Sequence, residues 1–170
     1  MFKEDKESVA FHKDQSALWK NTSKLSDFAG KAKDFAAIFY VGGHGPMFDL
    51  ALDHESQAII KEFWEAGKVV SAVCHGPIAL ANVKLSDGSY LVDSSPVTGF
   101  TNVEEDQVQL SKYMPALLED VLKKNGGKFE KATEPWGEKI VVGKSGRLIT
   151  GQNPNSAAGV GKAIVEAIKS

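Results

Sequence analysis

Val69-Val70-Ser71-Ala72-Val73-Cys74-His75-Gly76-Pro77 is an apolar run that stops abruptly at a thiol, an imidazole and a Gly-Pro pair. A continuous run of this kind reads as a strand buried on both faces, closed by a sharp turn that leads into a helix. Such a turn lifts a nucleophile clear of the backbone and aims a helix N-terminus at it. Cys74 is the single cysteine of the chain. The helix dipole and the neighbouring imidazole predict a thiol that ionises readily, and thiolate is the form that attacks carbonyl carbon. Most lone cysteines pack as small hydrophobes; His75 and Gly76 favour the reactive reading here.

Upstream, Phe35 to Val41 is a second apolar run, closed by Gly42-Gly43, and predicts another strand buried on both faces. Between the two, Asp53 or His54 caps a helix whose apolar stripe is Ile59, Ile60, Phe63 and Trp64 and which ends at Gly67. Strand, helix, strand, turn and helix in this order form a βαβα unit with parallel strands and a right-handed crossover. Cys74 then falls at the carboxyl edge of the sheet, where open α/β folds place their ligands.

Further along, short strands are predicted at Tyr90–Val92 and Val97–Phe100 around a break at Pro96, and a helix at Pro115–Lys124. A hairpin over Lys139–Thr150 turns at Lys144-Ser145-Gly146, and a last helix runs from Ser156 to Ile168. Before all of this, Asp5 to Lys33 is polar and lysine-rich, with Val9, Phe11, Leu18, Trp19, Leu25 and Phe28 at roughly helical intervals. It predicts one or two short amphipathic helices. The expectation is one domain over 1–170, with 1–33 as its helical leader. The fold class is α/β, an open and mostly parallel sheet between two helical layers.

Apolar content of 42% and charged content of 25% in 170 residues are those of an ordinary soluble globule. A net charge of -2 offers no general attraction to nucleic acid or to an anionic membrane, so neither is expected as a partner. One cysteine cannot close an internal disulfide, which fits a reducing compartment. The start, Met1 to Glu7, is charged with no apolar stretch behind it, and the run Phe35–Val41 is too short to cross a bilayer. A cytoplasmic protein is the expectation.

Four segments in order carry a family resemblance: Tyr40-Val41-Gly42-Gly43-His44-Gly45, Ala72-Val73-Cys74-His75-Gly76-Pro77, Val97-Thr98-Gly99-Phe100-Thr101-Asn102-Val103-Glu104-Glu105, and Leu148-Ile149-Thr150-Gly151-Gln152-Asn153-Pro154. Together they resemble the ThiJ/PfpI branch of the class I glutamine amidotransferase-like superfamily, and within it the glyoxalase III-type proteins, also described as D-lactate dehydratases. The resemblance runs from about Phe35 to the C-terminus. It implies a flavodoxin-like fold, with Cys74 as nucleophile, His75 as general base and acid, and Glu105 as the carboxylate behind His75; Glu104 is the second choice. A carboxylate there fixes the imidazole tautomer and stabilises the imidazolium.

By the same resemblance, the amides of Gly43 and His75 form an oxyanion hole and His44 contacts substrate. A tight strand-to-helix turn, with His44 as one of its loop residues, is the alternative and explains the glycines equally well. The implied reaction is glutathione-independent conversion of methylglyoxal, or a similar small 2-oxoaldehyde, to a 2-hydroxy acid such as D-lactate. It needs no cofactor, and the implied assembly is a homodimer.

Two other readings stand beside it. A cysteine hydrolase or amidotransferase of this superfamily needs a His-x-Glu pair late in the chain, whereas His12, His44, His54 and His75 all lie in the first half. A holding chaperone or redox-responsive stress protein needs no turnover at all. Glu104-Glu105-Asp106 has no His or Cys at ligand spacing in the sequence, so no metal is predicted. Trp136 reads as a structural loop residue. The family's initial strand-helix-strand, with a glutamate beside the cysteine, has no counterpart here, and Glu4 and Glu7 lack that context. The expectations are impaired catalysis and an apolar sheet edge without its neighbour.

Overall fold

The computed structural model describes residues 4–170, so Met1 to Lys3 of the charged start lie outside it. The leader forms the two expected helices, α1 (Lys6–Asp14) and α2 (Ala17–Lys20), then two short 3-10 turns, Leu25–Phe28 and Ala32–Asp34. Asp5 caps α1 by accepting the Ser8 backbone N–H at 3.0 Å. Phe11 and Trp19 pack on each other, yet both helices bury nothing fully.

β1 (Ala37–Tyr40), α3 (His54–Glu65) and β2 (Val69–Val73) form the parallel unit, with Ala37 opposite Val69 and Tyr40 opposite Ala72. Asp53 supplies the cap of α3, its Oδ1 accepting from Ser56 N at 2.6 Å. Ile59, Ile60 and Phe63 are the buried stripe, and the helix gives way to Gly67 at φ +76°.

β2 is buried along its whole length because both its faces are covered. Val70 and Ala72 join the larger core with the α3 stripe. Val69 and Val73 pack with Ile149 and with Val160 of α7 (Ala157–Lys169). Each such aliphatic side chain stabilises the fold by roughly 1.5–3 kcal/mol on burial. β6 (Leu148–Gly151) lies parallel to β2 on its other side, and β5 (Ile140–Gly143) pairs antiparallel to β6 as the expected hairpin. Lys144 and Ser145 adopt positive φ in its turn. Sheet order is β1-β2-β6-β5.

Three expectations are corrected. The run Phe35–Val41 is not buried on both faces: β1 is the edge of its sheet, Phe39 is 41% exposed and Val41 65%. An apolar run encodes hydrophobicity, not how many neighbours the strand finds. Tyr90–Val92 is not a strand, only a single bridge between Tyr90 and Lys84 that tucks Leu91 and Val92 into the core. Of Val97–Phe100 only Val97 is extended into a ladder, in β3 (Pro96–Val97) against β4 (Lys128–Phe129). Pro96 does not break that strand but begins it, where its missing N–H is not required.

The remaining helices are α4 (Ile78–Ala81), α5 (Asn102–Gln107) and α6 (Leu118–Lys124). α5 was not predicted, although Thr101-x-x-Glu104 is a capping box. The Thr101 hydroxyl accepts from Glu104 N at 3.2 Å, and the Glu104 carboxylate accepts from Thr101 N at 2.9 Å.

Candidate active site

Cys74 follows β2 directly and takes φ +62°, the left-handed conformation in which a side chain is strained by about 1–3 kcal/mol. The turn is pinned on both sides: Cys74 N donates to Gly151 O and Phe100 N donates to Cys74 O, each at 2.9 Å. Close approach of the β1 end to this turn depends on two glycines. A Cβ on Gly42 would stand 2.5 Å from Cys74 Cβ, and one on Gly76 would stand 2.3 Å from Tyr40 O.

Cys74 Sγ lies 3.5 Å from His75 Nδ1. On the other edge of the ring, His75 Nε2 is 2.6 Å from Glu105 Oε2, so Glu105, thirty residues away, stands behind His75. A carboxylate at Oε2 takes the Nε2 proton and leaves Nδ1 free to accept from the thiol. Glu105 reaches this position from the first turn of α5. Its second oxygen, Oε1, is held at 2.8 Å by His44 Nε2. One carboxylate therefore joins two imidazoles, whose ring centroids are 4.1 Å apart. Phe100 packs against His75 at 4.4 Å and stands edge-on to His44 at 6.2 Å. His75 and Glu105 are buried, while His44 lies at the opening.

Glu104, the second choice for this role, faces elsewhere. Its Oε1 accepts from Trp136 N, Gln152 Nε2 and Asn153 Nδ2 at 2.8–2.9 Å, and its Oε2 from Thr101. Burial alone would raise its pKa, but these donors outweigh it and hold the carboxyl below its ordinary value. Trp136 is structural through this amide. Its ring nevertheless touches the site's wall, edge-on to Phe100 at 5.5 Å. Phe100, which contributes that wall, was not singled out from the sequence although it stands in the third motif.

The expected ready ionisation of Cys74 is corrected. Burial pushes the thiol up. The backbone N–H groups of Gly43 and His75, which face the sulfur, pull it down, and the charges of Glu104 and Glu105 raise it again; the net direction is up. The helix after the turn, α4, has only four residues, so its dipole is slight. His75 is shifted down, chiefly by burial, against the opposing hydrogen bond from Glu105. The thiol S–H faces the free Nδ1 of the imidazole, poised for proton transfer. Glu7, on α1, lines a groove of about 750 Å³ with Trp19, Pro154 and Asn155 that shares no residue with this site.

One ring nitrogen each of His44 and His75 and a Glu105 oxygen lie within 4.8 Å of one another. Residues 44, 75 and 105 share no ligand spacing in sequence, which is why the acidic run appeared to have no histidine beside it. No helix among the described residues is long and apolar enough to cross a membrane.

The model of the DJ-1/PfpI family matches residues 5–167. Glutathione-independent glyoxalase hsp3102 of Schizosaccharomyces pombe is 33% identical over 96% of the chain and 71% of the relative. Glutathione-independent glyoxalase HSP31 of Saccharomyces cerevisiae is 35% identical over 81% of the chain and 60% of its own length. The crystal structure of glyoxalase III from Candida albicans superposes with a TM-score of 0.82 at 31% identity, covering 96% of the chain and 70% of that protein.

Proposed function

The chain belongs to the DJ-1/PfpI family, and from that premise and the site geometry we propose that it is a glutathione-independent glyoxalase, converting methylglyoxal or a similar 2-oxoaldehyde to a 2-hydroxy acid, D-lactate in the first case. The observation that carries the reading is the continuous line from Cys74 Sγ through His75 to Glu105, at 3.5 and 2.6 Å.

Cys74 sulfur adds to the aldehyde carbon as its proton passes to His75 Nδ1, giving a hemithioacetal without any free thiol cofactor. A resting thiolate is unnecessary, since transfer and attack proceed together. The amides of Gly43 and His75 stabilise the developing oxyanion, a role worth about 3–4 kcal/mol where one donor has been removed in other enzymes. His75 returns the thiol proton to the oxyanion as the hemithioacetal hydroxyl and is neutral again. It then takes the proton from the former aldehyde carbon and delivers one to the adjacent carbon through an enediol, while the hydroxyl proton on the first carbon passes to the oxygen on the second. The first carbon is thereby oxidised and the second reduced, leaving a thioester. Water hydrolyses it to the acid and restores the thiol. Glu105 stabilises the imidazolium at each transfer.

The upward shift of the partly buried thiol counts against the redox-responsive alternative, because oxidation follows thiolate character. A homodimer, implied by the resemblance, and a cytoplasmic setting, expected from the single cysteine and the charged start, belong to the same proposal; sedimentation tests the first. The decisive assay is D-lactate formation from methylglyoxal without glutathione. Product from the intact chain and none from Cys74→Ala supports the proposal, whereas equal product from both removes it.

A further inference from the structure

The three donors around Glu105 have a capacity that thiol chemistry does not use. We propose that His44 Nε2, His75 Nε2 and the Glu105 carboxylate bind one Zn²⁺, and that the ion switches the site off. Binding does not depend on the glyoxalase reading; the inhibition rests on it.

The donor set is two imidazole nitrogens and one carboxylate, a set zinc binds with a fourth position left open. The three atoms converge within 4.8 Å. With zinc–ligand bonds of about 2.0–2.2 Å, tetrahedral donor atoms stand roughly 3.3 Å apart. Both Nε2 atoms already point at Glu105, at 2.8 and 2.6 Å. Exchanging their two shared protons for one ion requires each nitrogen to part from its oxygen by about half an ångström, while the donors that now stand up to 4.8 Å apart close toward roughly 3.3 Å. Half-exposed His44 provides the way in and the side on which the fourth position opens.

Charge favours the exchange as well. Glu104 and Glu105 are adjacent and buried. Among the described residues the ion pairs of Glu105 are with imidazoles, and Glu104 makes none. Two buried carboxylates without a lysine or arginine partner form a site in which a divalent cation relieves repulsion.

Inhibition follows from the tautomer. An ion on Nε2 obliges the imidazole proton to sit on Nδ1, the atom 3.5 Å from Cys74 Sγ. Nδ1 then donates toward the sulfur and can no longer accept its proton. The same ion occupies Glu105, which otherwise stabilises the imidazolium.

Titration of the metal-free full chain with Zn²⁺ against a chromophoric chelator tests the site. One ion per chain is expected, with affinity at least about 100-fold weaker in His44→Ala, His44→Gln and Glu105→Gln, beyond the 10–100-fold that loss of an outer-sphere contact costs. Cys74→Ser should bind within threefold of the parent, and Co²⁺ should give visible bands without thiolate charge transfer. Absence of stoichiometric binding, binding untouched in both folded His44 variants, or binding lost in Cys74→Ser overturns the site. Zinc should also halt lactate formation at the concentration that fills the site, reversed by chelation. Zinc bound without any lactate after chelation removes the glyoxalase reading alone; lactate without zinc binding removes this inference alone.

Discussion

Glu104 and Glu105 are neighbours on the same turn of α5, and the polar clusters they organise differ in kind. Around Glu104, five donor groups from Thr101, Trp136, Gln152 and Asn153 close on one carboxylate and bind α5 to the loops after β4 and β6. Around Glu105 the donors are two histidines, one of them touching the sulfur and the other reaching solvent. The first cluster has every partner fixed and nothing to exchange. The second is built from groups that gain and lose protons. A one-residue step along a helix turns a side chain by about 100°, enough to assign one carboxylate to architecture and the next to chemistry.

The largest effect that separates the clusters is Cys74→Ala. Lactate formation should vanish while stability falls by no more than about 1 kcal/mol, because alanine keeps the left-handed backbone of the turn and only the packing of the sulfur against the core is lost; activity and urea denaturation measure both. Next, Glu105→Gln puts an amide N–H₂ in place of one of the two acceptor oxygens that hold the imidazoles and removes the charge that stabilises the His75 imidazolium. A fall in kcat of about 10³–10⁴-fold is expected with little change in stability, by analogy with the loss of a triad carboxylate. Retention of kcat within tenfold would erase the distinction drawn between the two residues.

Glu104→Gln should do the reverse. Every group around Glu104 is a donor, so an amide N–H₂ there meets another donor, at a cost of about 1–3 kcal/mol or more. Lower urea midpoint with kcat within about tenfold is the expected outcome, and a fall in kcat matching that of Glu105→Gln would merge the clusters.

Smaller effects come from pH. Glu104 is held below its ordinary value of 4.5, so its contribution is complete above that value and is lost as pH falls through its lowered pKa. His75 is shifted below 6.5, so the unfolded chain takes up its proton first and stability declines as pH falls below 6.5. Urea midpoints against pH should decline in these two stages, and Glu104→Gln should remove the lower one. The smallest expected difference is at the sulfur itself. Raised above 9.0 by burial, Cys74 should be alkylated by iodoacetamide at pH 7–8 more slowly than free cysteine, with the rate climbing beyond pH 9.

The sequence alone determined the parts whose signal is local. Periodicity and caps placed α3, β2, the hairpin at Lys144-Ser145-Gly146 and α7, and the collapse of an apolar run into Cys-His-Gly-Pro placed the turn and the Cys74–His75 pair. The capping box at Thr101-x-x-Glu104 is a local signal for α5, overlaid by the adjoining apolar run Val97–Phe100, which reads as a strand. The tertiary structure alone decided which carboxylate faces His75, that His44 holds the other oxygen of the same group, that β1 is an edge, and that the thiol is shifted up. Hydrophobic period and turn chemistry are written within a few residues of each other. Hydrogen-bond pairing across 30 or 61 residues, and the burial that sets a proton's affinity, exist only once the chain has closed on itself.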